Sequence, residues 1–153
     1  MMTELSSARP AVTVATVVER DGRFLLVQEH TRAGLRLNQP AGHLEGGETL
    51  AAAAARETLE ETGWHVEPTA LVGVYRWTAR ESGATFVRFT FAGAARTHEP
   101  ARPLDTGIVR AVWMTYDEIV AARGEHRSPL VLRCIDDYRA GTRLPLGTVQ
   151  EVE

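Results

Sequence analysis

The chain has 153 residues, a length that suits one domain with its own hydrophobic core. Its composition, 44% hydrophobic and 24% charged, is that of an ordinary globular protein, and the net charge of -3 gives no electrostatic reason to expect nucleic-acid binding. The first residues lack a basic segment followed by an apolar one, and no run is apolar enough to span a membrane, so we expect a cytoplasmic protein without membrane contact.

The first part of the sequence predicts a flexible leader followed by a β-hairpin. Residues 1–10 carry no patterned apolar segment, whereas residues 11–18, AVTVATVV, are a β-branched run typical of a largely buried strand. The dipeptide Asp21-Gly22 marks a hairpin turn, and FLLVQE beyond it predicts the return strand.

Residues 42–64 place a turn, a helix and a group of carboxylates in one run, after a polar stretch, HTRAGLRLNQ, that predicts a loop. Thr49 is suited to cap a helix N-terminus, and the alanine-rich segment after it has high helix propensity. We therefore predict a helix over residues 50–62. Gly63 fits the position after the helix, where a left-handed conformation is favoured.

Three carboxylates of the predicted helix share one face, because Glu57, Glu60 and Glu61 are three and four residues apart. Their mutual repulsion and their position near the negative end of the helix dipole each cost roughly a few tenths of a kcal/mol. A bound divalent cation reverses both penalties, and hard cations prefer oxygen ligands. This acidic face therefore predicts a metal site, with Mg²⁺ as the expected ion and Mn²⁺ as the alternative.

Small and apolar side chains occupy the opposite face of the helix and predict close packing against the rest of the domain. These residues are Ala52, Ala55 and Leu59. The other interpretation of the acidic face is a solvated surface with basic neighbours. Arg56 is the only basic residue of the predicted helix, which weakens that interpretation.

The sequence after the helix predicts two further strands, a loop, a strand and two helices. In chain order these are strands over residues 70–79 and 84–93 separated by a turn at 81–83, a surface loop at 95–107, a strand at 108–114, and helices at 116–122 and 129–140. The single Cys134 excludes an intrachain disulfide and is predicted to be a buried core residue. Strands with helices before and after them predict an α/β (α+β) fold, a mixed sheet between helices.

Seven residues of the turn and the helix resemble the signature of the Nudix hydrolases. They are Gly42, Glu48, Arg56, Glu57, Glu60, Glu61 and Gly63. A chance match of this kind in a chain of this length has a probability on the order of one in a million. Thr58 and Trp64 stand where the family most often has an aliphatic residue, and this departure concerns packing rather than metal binding.

The resemblance extends over residues 11–146, which it implies form a single Nudix domain with an α/β/α sandwich, followed by a tail at 147–153. The flanking segments VTVATVV, NQPAGHLEGGETL, RSPLV and RLPL are similar to a bacterial phosphatase branch of the family. Members of that branch act on nucleoside tri- and diphosphates and on pyrophosphates of thiamin precursors. The implied partner is a small nucleotide or pyrophosphate, and the oligomeric state, monomer or homodimer, stays open.

The resemblance also implies roles for the signature residues. The three glutamates of the acidic face hold the metal, the Gly42 backbone lies close to it, and Glu48 pairs with Arg56 to fix the turn to the helix. The implied reaction is hydrolysis of a phosphoanhydride by a metal-activated water. The alternatives are an RNA 5′-end pyrophosphohydrolase, for which a basic groove is expected, and a non-catalytic nucleotide-binding module, for which loss of a metal-site glutamate is expected.

Six residues outside the acidic face are candidate substrate contacts. They are Arg36, Asn38, His43, Arg76, Trp77 and Arg88. Arginine suits bidentate binding of a terminal phosphate, and Trp77 offers a stacking surface for a base or a pyrimidine ring. The plain alternatives are solvated arginines, a core tryptophan and a histidine that only shapes the turn. Trp113 and Phe89 are assigned to the core.

A fourth carboxylate is expected to face the helix, since the helix supplies ligands from one side only. The predicted loop at 95–107 contains two acids, Glu99 and Asp105. Asp105 lies three residues before the strand that begins at Ile108, and we favour it as an auxiliary metal ligand or water-orienting base. The alternative is that Asp105 only caps the turn at Thr106 and Gly107.

Overall fold

Residues 9–152, which the computed structural model describes, form seven strands, three α-helices and two short 3₁₀ helices. The strands are β1 Ala11–Arg20, β2 Arg23–Thr31, β3 Gly34–Asn38, β4 Ala41–His43, β5 Trp64–Thr78, β6 Thr85–His98 and β7 Ile108–Thr115. The helices are α1 Leu50–Thr62, α2 Tyr116–Ala121 and α3 Leu130–Arg139, and the 3₁₀ helices are Arg123–Glu125 and Leu146–Thr148. In this part of the chain none of the helices qualifies as a membrane span. The predicted leader falls largely on residues 1–8, outside the described residues.

The strands form one mixed sheet in the order β3-β2-β1-β6-β5, with β4 paired to β1 and β7 paired to β2. The β1 and β6 strands run parallel, and the other pairs are antiparallel. Helix α1 packs on one face through a cluster that joins Ala53 and Ala54 to Val14, and α3 packs on the other face through a cluster that joins Ile135 to Val17. The predicted sandwich of helices around a mixed sheet is therefore confirmed.

The near-continuous apolar character of β1 follows from this arrangement. Val14 and Val17 point to opposite faces of the sheet, and both faces are covered by a helix. Residues 13–18 are accordingly all buried. The predicted hairpin turn is also confirmed, since Asp21 and Gly22 have φ angles of 52° and 76°.

The ends of α1 agree with the sequence prediction. The Thr49 side chain accepts a hydrogen bond from the Ala52 amide at 3.1 Å. Gly63 ends the helix with a φ of 76°, and its amide donates to the Leu59 carbonyl at 2.9 Å. Capping by Thr49 and Gly63 therefore sets the helix bounds, as predicted.

The predicted packing face of α1 is wrong. The buried residues are Ala53, Ala54, Glu57, Thr58, Glu61 and Thr62. Ala52 is exposed and Leu59 only half-buried, so two carboxylates of the acidic face turn toward the sheet instead of away from it. The reason is that Ala53, Ala54 and Thr58 pack against β1, and Glu57 and Glu61 lie on that same side of the helix.

Two predicted loops are partly strands. The HTRAGLRLNQ stretch continues β2 to Thr31 and then forms β3, which pairs antiparallel with β2. Likewise β6 continues to His98, because it pairs with β5 as far back as Trp64. Backbone pairing with a neighbouring strand outweighs polar side chains here, since one side of each extension faces solvent. The loop proper is shorter than predicted and runs from residue 99 to 107.

The β5 strand begins earlier than predicted and contains a proline. Its pairing with β6 shifts register between Pro68 and Ala70, which marks an irregularity where the missing proline N–H does not break the ladder. The three-residue β4 was not predicted, because a strand of this length leaves no periodic signal. It pairs with β1 and carries Gly42.

One buried polar contact joins α1 to β1. The Thr16 and Thr58 hydroxyl oxygens are 2.8 Å apart, and both residues are fully buried. Thr58 donates its proton to the Ala54 carbonyl at 2.8 Å, so Thr16 is the donor to Thr58. Thr58 therefore fills an otherwise apolar helix position because its oxygen satisfies a hydroxyl from the sheet.

We predict that Thr58→Val destabilises the fold by about 1–3 kcal/mol, because the Thr16 hydroxyl loses its acceptor in a dry interior. The double variant Thr16→Val with Thr58→Val should recover most of that loss, since no polar atom is then left unpaired. Urea unfolding of the two single variants and the double variant measures the coupling. Additive losses in the double variant would contradict a direct interaction between the two hydroxyls.

Candidate active site

Three carboxylates meet at the C-terminal half of α1. Oxygens of Glu57, Glu60 and Asp105 lie within 4.8 Å of one another. Two oxygens on opposite sides of one Mg²⁺ are separated by about 4.2 Å, so this spacing is close to that of a shared cation. The sequence predicted that Asp105 faces the helix carboxylates, and the structure places it among them.

The loop before β7 is fixed to the end of α1 by backbone hydrogen bonds. The Asp105 amide donates to the Glu60 carbonyl at 3.0 Å, and the Glu99 amide donates to the Gly63 carbonyl at 2.8 Å. The Asp105 carbonyl accepts from the Ile108 amide at 3.0 Å and closes the turn, so the turn is held by its backbone. The Glu99 carboxylate pairs with His65 instead, at 2.5 Å, and takes no part in the cluster of three carboxylates.

Glu61 is the most deeply buried of the helix carboxylates, with 7% of its surface exposed. Its oxygen accepts a hydrogen bond from the Ala41 amide at 2.8 Å, which ties α1 to β4. Burial raises the pKa of Glu61 to about 8, and the nearby charges of Glu57, Glu29 and Asp105 act in the same direction. Burial also raises the pKa of Glu57, despite the adjacent Arg56. Burial therefore favours the neutral form of these carboxyl groups, so that a nearby cation is needed to keep them ionised.

Arg56 joins the helix to the preceding turn. Its guanidinium donates to both oxygens of Glu48, at 2.9 and 2.7 Å, and so forms the ion pair that the family resemblance implied. It also donates to Glu57 at 2.9 Å and to Glu60 at 3.2 Å. The Arg56 hydrogen bonds hold the pKa of Glu48 down at about 2, and the carboxylates around Arg56 raise the pKa of its guanidinium. The Arg56 guanidinium thus positions three carboxylates, but its single charge cannot neutralise all of them.

Gly42 is required by the position of Glu57. A Cβ atom built on Gly42 would overlap the Glu57 carboxylate group. Any other residue at this position would displace a carboxylate of the cluster, so the glycine is a steric requirement of the site. Backbone conformation does not require the glycine, because Gly42 does not have a positive φ angle.

These residues fit a divalent cation of the Mg²⁺ type. The donor set is all oxygen, the carboxylates lie within reach of one ion, and their number exceeds the one arginine that contacts them. Oxygens of Glu57, Glu60 and Asp105 are close enough together to contact one ion. Glu61 lies near them, since the charges of Glu57 and Asp105 contribute to its raised pKa.

A cavity of about 200 Å³ borders the acidic cluster. It is lined by Thr13, Glu29, Asn38, Ala41, Gly42, His43, Trp77, Phe86, Arg88, Arg127, Ser128 and Leu130. Gly42 belongs to both regions, since it lines the cavity and touches Glu57. Ala41 does so too, because it lines the cavity and binds Glu61. A molecule in the cavity would therefore lie beside two residues that contact the carboxylates.

Four of the six predicted substrate contacts line this cavity, namely Asn38, His43, Trp77 and Arg88. Trp77 stacks on Phe86 with ring centroids 5.8 Å apart. The other two lie elsewhere. Arg36 borders an adjoining shallow depression, and Arg76 is exposed on β5, so within residues 9–152 neither lines the cavity.

Several cavity residues escaped the sequence prediction. Glu29 follows an irregularity in the pairing of β2 with β7, and its carboxylate lies 3.3 Å from the guanidinium of Arg127. Ser128 lies before α3, where its hydroxyl accepts from the Leu130 amide at 3.2 Å. A long-range ion pair leaves no periodic signal in sequence, but a buried serine immediately before a proline and a helix is a capping signal that points to this position.

The fold and the acidic site belong to a known class of hydrolase. Residues 7–134 match the NUDIX domain family, and the chain belongs to that family. It is 43% identical to Phosphatase NudJ of Escherichia coli strain K12 over 141 residues, which are 92% of this chain and 91% of that protein. The chain is thus a Nudix hydrolase, similar to a bacterial phosphatase.

Solved structures give the same result. The chain is similar to a NUDIX hydrolase from Nitrosomonas europaea, with a TM-score of 0.92 and 52% identity over 94% of this chain and 98% of that one. A MutT NUDIX hydrolase from Burkholderia pseudomallei shares the fold at 21% identity, with a TM-score of 0.71 over 84% of this chain and 98% of that one.

We predict that the chelator-treated protein loses stability as pH rises from about 5 to about 8. The pKa of Glu61 is raised from 4.5 to about 8 in the folded state, so the folded chain binds more protons than the unfolded chain across this window. The loss of unfolding free energy that is due to Glu61 alone reaches roughly 3 kcal/mol by pH 7. Glu61→Gln should flatten the dependence of Tm on pH.

Glu67→Gln is the matched control, because Glu67 is an exposed glutamate paired with Arg96 at a distance from the site. It should retain the dependence of Tm on pH found for the unsubstituted protein. Parallel profiles for Glu61→Gln and the unsubstituted protein would mean that Glu61 is not the group responsible.

Proposed function

We propose that this protein is a divalent-metal-dependent hydrolase of small phosphoanhydrides, which cleaves a nucleoside tri- or diphosphate or a thiamin-type pyrophosphate. The observation that carries the proposal is the group of oxygens from Glu57, Glu60 and Asp105 beside a cavity with an aromatic and a cationic wall. A diphosphate linked to a ring has matching parts, an anionic chain and a planar group. The relationship to a bacterial phosphatase supports the same class of reaction.

Glu57, Glu60 and Glu61 are the proposed metal ligands, with Asp105 as an auxiliary ligand or base and the Gly42 backbone beside them. When bound, Mg²⁺ or Mn²⁺ supplies charge neutralisation to the phosphate oxygens and acidity to the attacking water. Without it, the excess of carboxylates would repel the anionic substrate. Arg56 pairs with Glu48 and donates to the His43 carbonyl at 3.2 Å, so it holds both the turn and β4, which carries Gly42, against the helix.

The reaction joins the water oxygen to phosphorus and breaks the bridging P–O bond, so that the products are two phosphate-bearing species. The water proton passes to a carboxylate of the site. Asp105 is exposed and therefore accessible to a water, whereas Glu61 is buried and already accepts the Ala41 amide. This contrast favours Asp105 for the water-orienting role and Glu61 for a fixed ligand.

The test is a panel of nucleoside tri- and diphosphates and thiamin-type pyrophosphates, with phosphate and pyrophosphate release measured separately. We expect anhydrides to be hydrolysed in Mg²⁺, with turnover abolished by excess chelator and restored by added Mg²⁺. Glu61→Gln should lose most of the activity while staying folded, because an amide keeps the shape and not the charge.

Simple monophosphate esters are the control substrates, since they lack the bridged phosphates that the site is proposed to bind. Monoesters that turn over faster than every anhydride would refute the assignment to anhydride hydrolysis. Full activity in chelator, or in Glu61→Gln, would refute the metal dependence.

We predict that Asp105→Asn lowers kcat at least about tenfold with little change in Tm, as expected for the loss of a base or a metal contact. Asparagine preserves the size of the side chain, and the turn is closed by the residue's backbone carbonyl. The matched control is Glu99→Gln on the same loop, which should leave kcat near normal because Glu99 pairs with His65. Normal kcat in Asp105→Asn would remove Asp105 from the mechanism.

A further inference from the structure

The cavity floor is built from successive rows of the sheet. Ala11, Phe86 and Trp77 are register partners across β1, β6 and β5, and the next row on the same face is Thr13, Arg88 and Tyr75. Two residues along a strand span about 7 Å, roughly the width of a planar ring. Arg88 therefore lies one ring width inward from the aromatic pair of Trp77 and Phe86.

Arg88 is buried but incompletely bonded. Only 6% of its surface is exposed, and its guanidinium donates to the Gln39 side-chain oxygen at 3.1 Å and to the Asn38 side-chain oxygen at 3.3 Å. Its Nε has no hydrogen-bond partner among the described residues. A guanidinium has five N–H groups and no acceptor, so this wall of the cavity has donor capacity left over.

The two amides complete a wall that donates. Because the guanidinium only donates, the oxygens of Asn38 and Gln39 must face it and their NH₂ groups must face other partners. The Gln39 nitrogen donates to the Val131 carbonyl at 2.6 Å. The Asn38 NH₂ group remains as a donor beside Arg88 on the cavity lining. The donors of Arg88 and Asn38 therefore suit a ligand edge whose atoms accept hydrogen bonds.

The charge of Arg88 is also uncompensated by the protein. Within residues 9–152, no carboxylate lies within 4.0 Å of its guanidinium, whereas Arg127 on the same cavity is paired with Glu29 at 3.3 Å. The side chains next to its guanidinium are the two neutral amides and the Cys134 thiol. Burying an arginine without an anionic partner is costly. A strong acceptor from a ligand would offset that cost.

We infer that Arg88 is a specificity-determining residue, which binds a carbonyl-bearing edge of the substrate's ring while the ring lies against Trp77. The inference rests on the proposed function and names the part of the substrate that the cavity recognises. It assigns the anionic chain to the side of Gly42 and Glu57 and the ring to the side of Trp77 and Phe86. Arg88 then contacts the ring and not the terminal phosphate for which the sequence suggested it.

The test compares nucleoside triphosphates that differ in one exocyclic group and in the hydrogen on the ring nitrogen beside it. In ITP and UTP a carbonyl stands where ATP and CTP carry an amino group. We expect kcat/KM to be at least about fivefold higher for the carbonyl member of each pair, since an amino group meets the donor wall with another donor. Arg88→Gln should bring the ratio close to one.

Inorganic triphosphate is the substrate control, because it has the anhydride and no ring. Its hydrolysis should change less than about twofold in Arg88→Gln. Arg96→Gln, with the same change of charge on the same strand but an exposed position, should keep the preference for the carbonyl member. Equal losses on inorganic triphosphate and nucleotides, or no preference in the unsubstituted protein, would overturn the inference.

A second variant covers the case in which Arg88→Gln unfolds. Trp77→Leu alters a half-exposed side chain and should lower kcat/KM for nucleotides about tenfold while sparing inorganic triphosphate. Unchanged nucleotide turnover in this variant would also overturn the inference. If the unsubstituted protein hydrolysed no anhydride, the proposed function would be refuted. The role of Arg88 would then be tested separately by calorimetric binding of ITP and ATP. Equal Kd values for the two nucleotides would refute that role.

Discussion

The burial of carboxylates between α1 and the sheet is the constraint on which the site depends. A helix that turned its acidic face to solvent would hold these groups at ordinary pKa values and without fixed partners. Here Glu57 and Glu61 lie on the side that packs against the sheet, where burial raises both pKa values. The fold therefore holds carboxyl groups whose ionised form is costly until a bound cation offsets that cost.

The surrounding features follow from that constraint. Gly42 has no side chain because the Glu57 carboxylate occupies the space, and the Ala41 amide meets Glu61 because β4 lies against the helix. Arg56 contacts Glu48, Glu57 and Glu60, and its pair with Glu48 holds the preceding turn in place. Helix, short strand and turn are thus positioned by hydrogen bonds to carboxylates as well as by apolar packing.

Local signals in the sequence predicted the helix and its ends, because capping by Thr49 and Gly63 depends on neighbouring residues only. The carboxylates were found for the same reason, through their spacing on one helix. The direction of the acidic face was predicted incorrectly, because apolar periodicity is weak in an alanine-rich helix whose buried side includes threonines and glutamates. That side packs against β1 through Ala53 and Ala54 and through the pairing of Thr58 with Thr16.

Contacts between residues far apart in the chain could not be predicted from the sequence. The cavity combines β1, β5 and β6 with residues that precede α3, and the inclusion of Glu29 and Arg127 depends on an ion pair between distant segments. Arg88 was identified as a candidate by its residue type alone, yet its surroundings of two amides depend on the junction of β3 and β4. Arg36 and Arg76 carry the same residue type and lie outside the cavity, so residue type cannot separate them.

The last strand of the sheet order, β5, has an outer edge that would otherwise present unpaired backbone groups. Leu71 and Leu144 exchange two backbone hydrogen bonds of 2.8 Å each across that edge. The chain beyond them packs Val149 beside α1, where the Glu151 carboxylate accepts from the Leu50 amide at 3.2 Å. The segment after α3 therefore covers part of an edge strand whose backbone groups would otherwise be open to pairing with another strand.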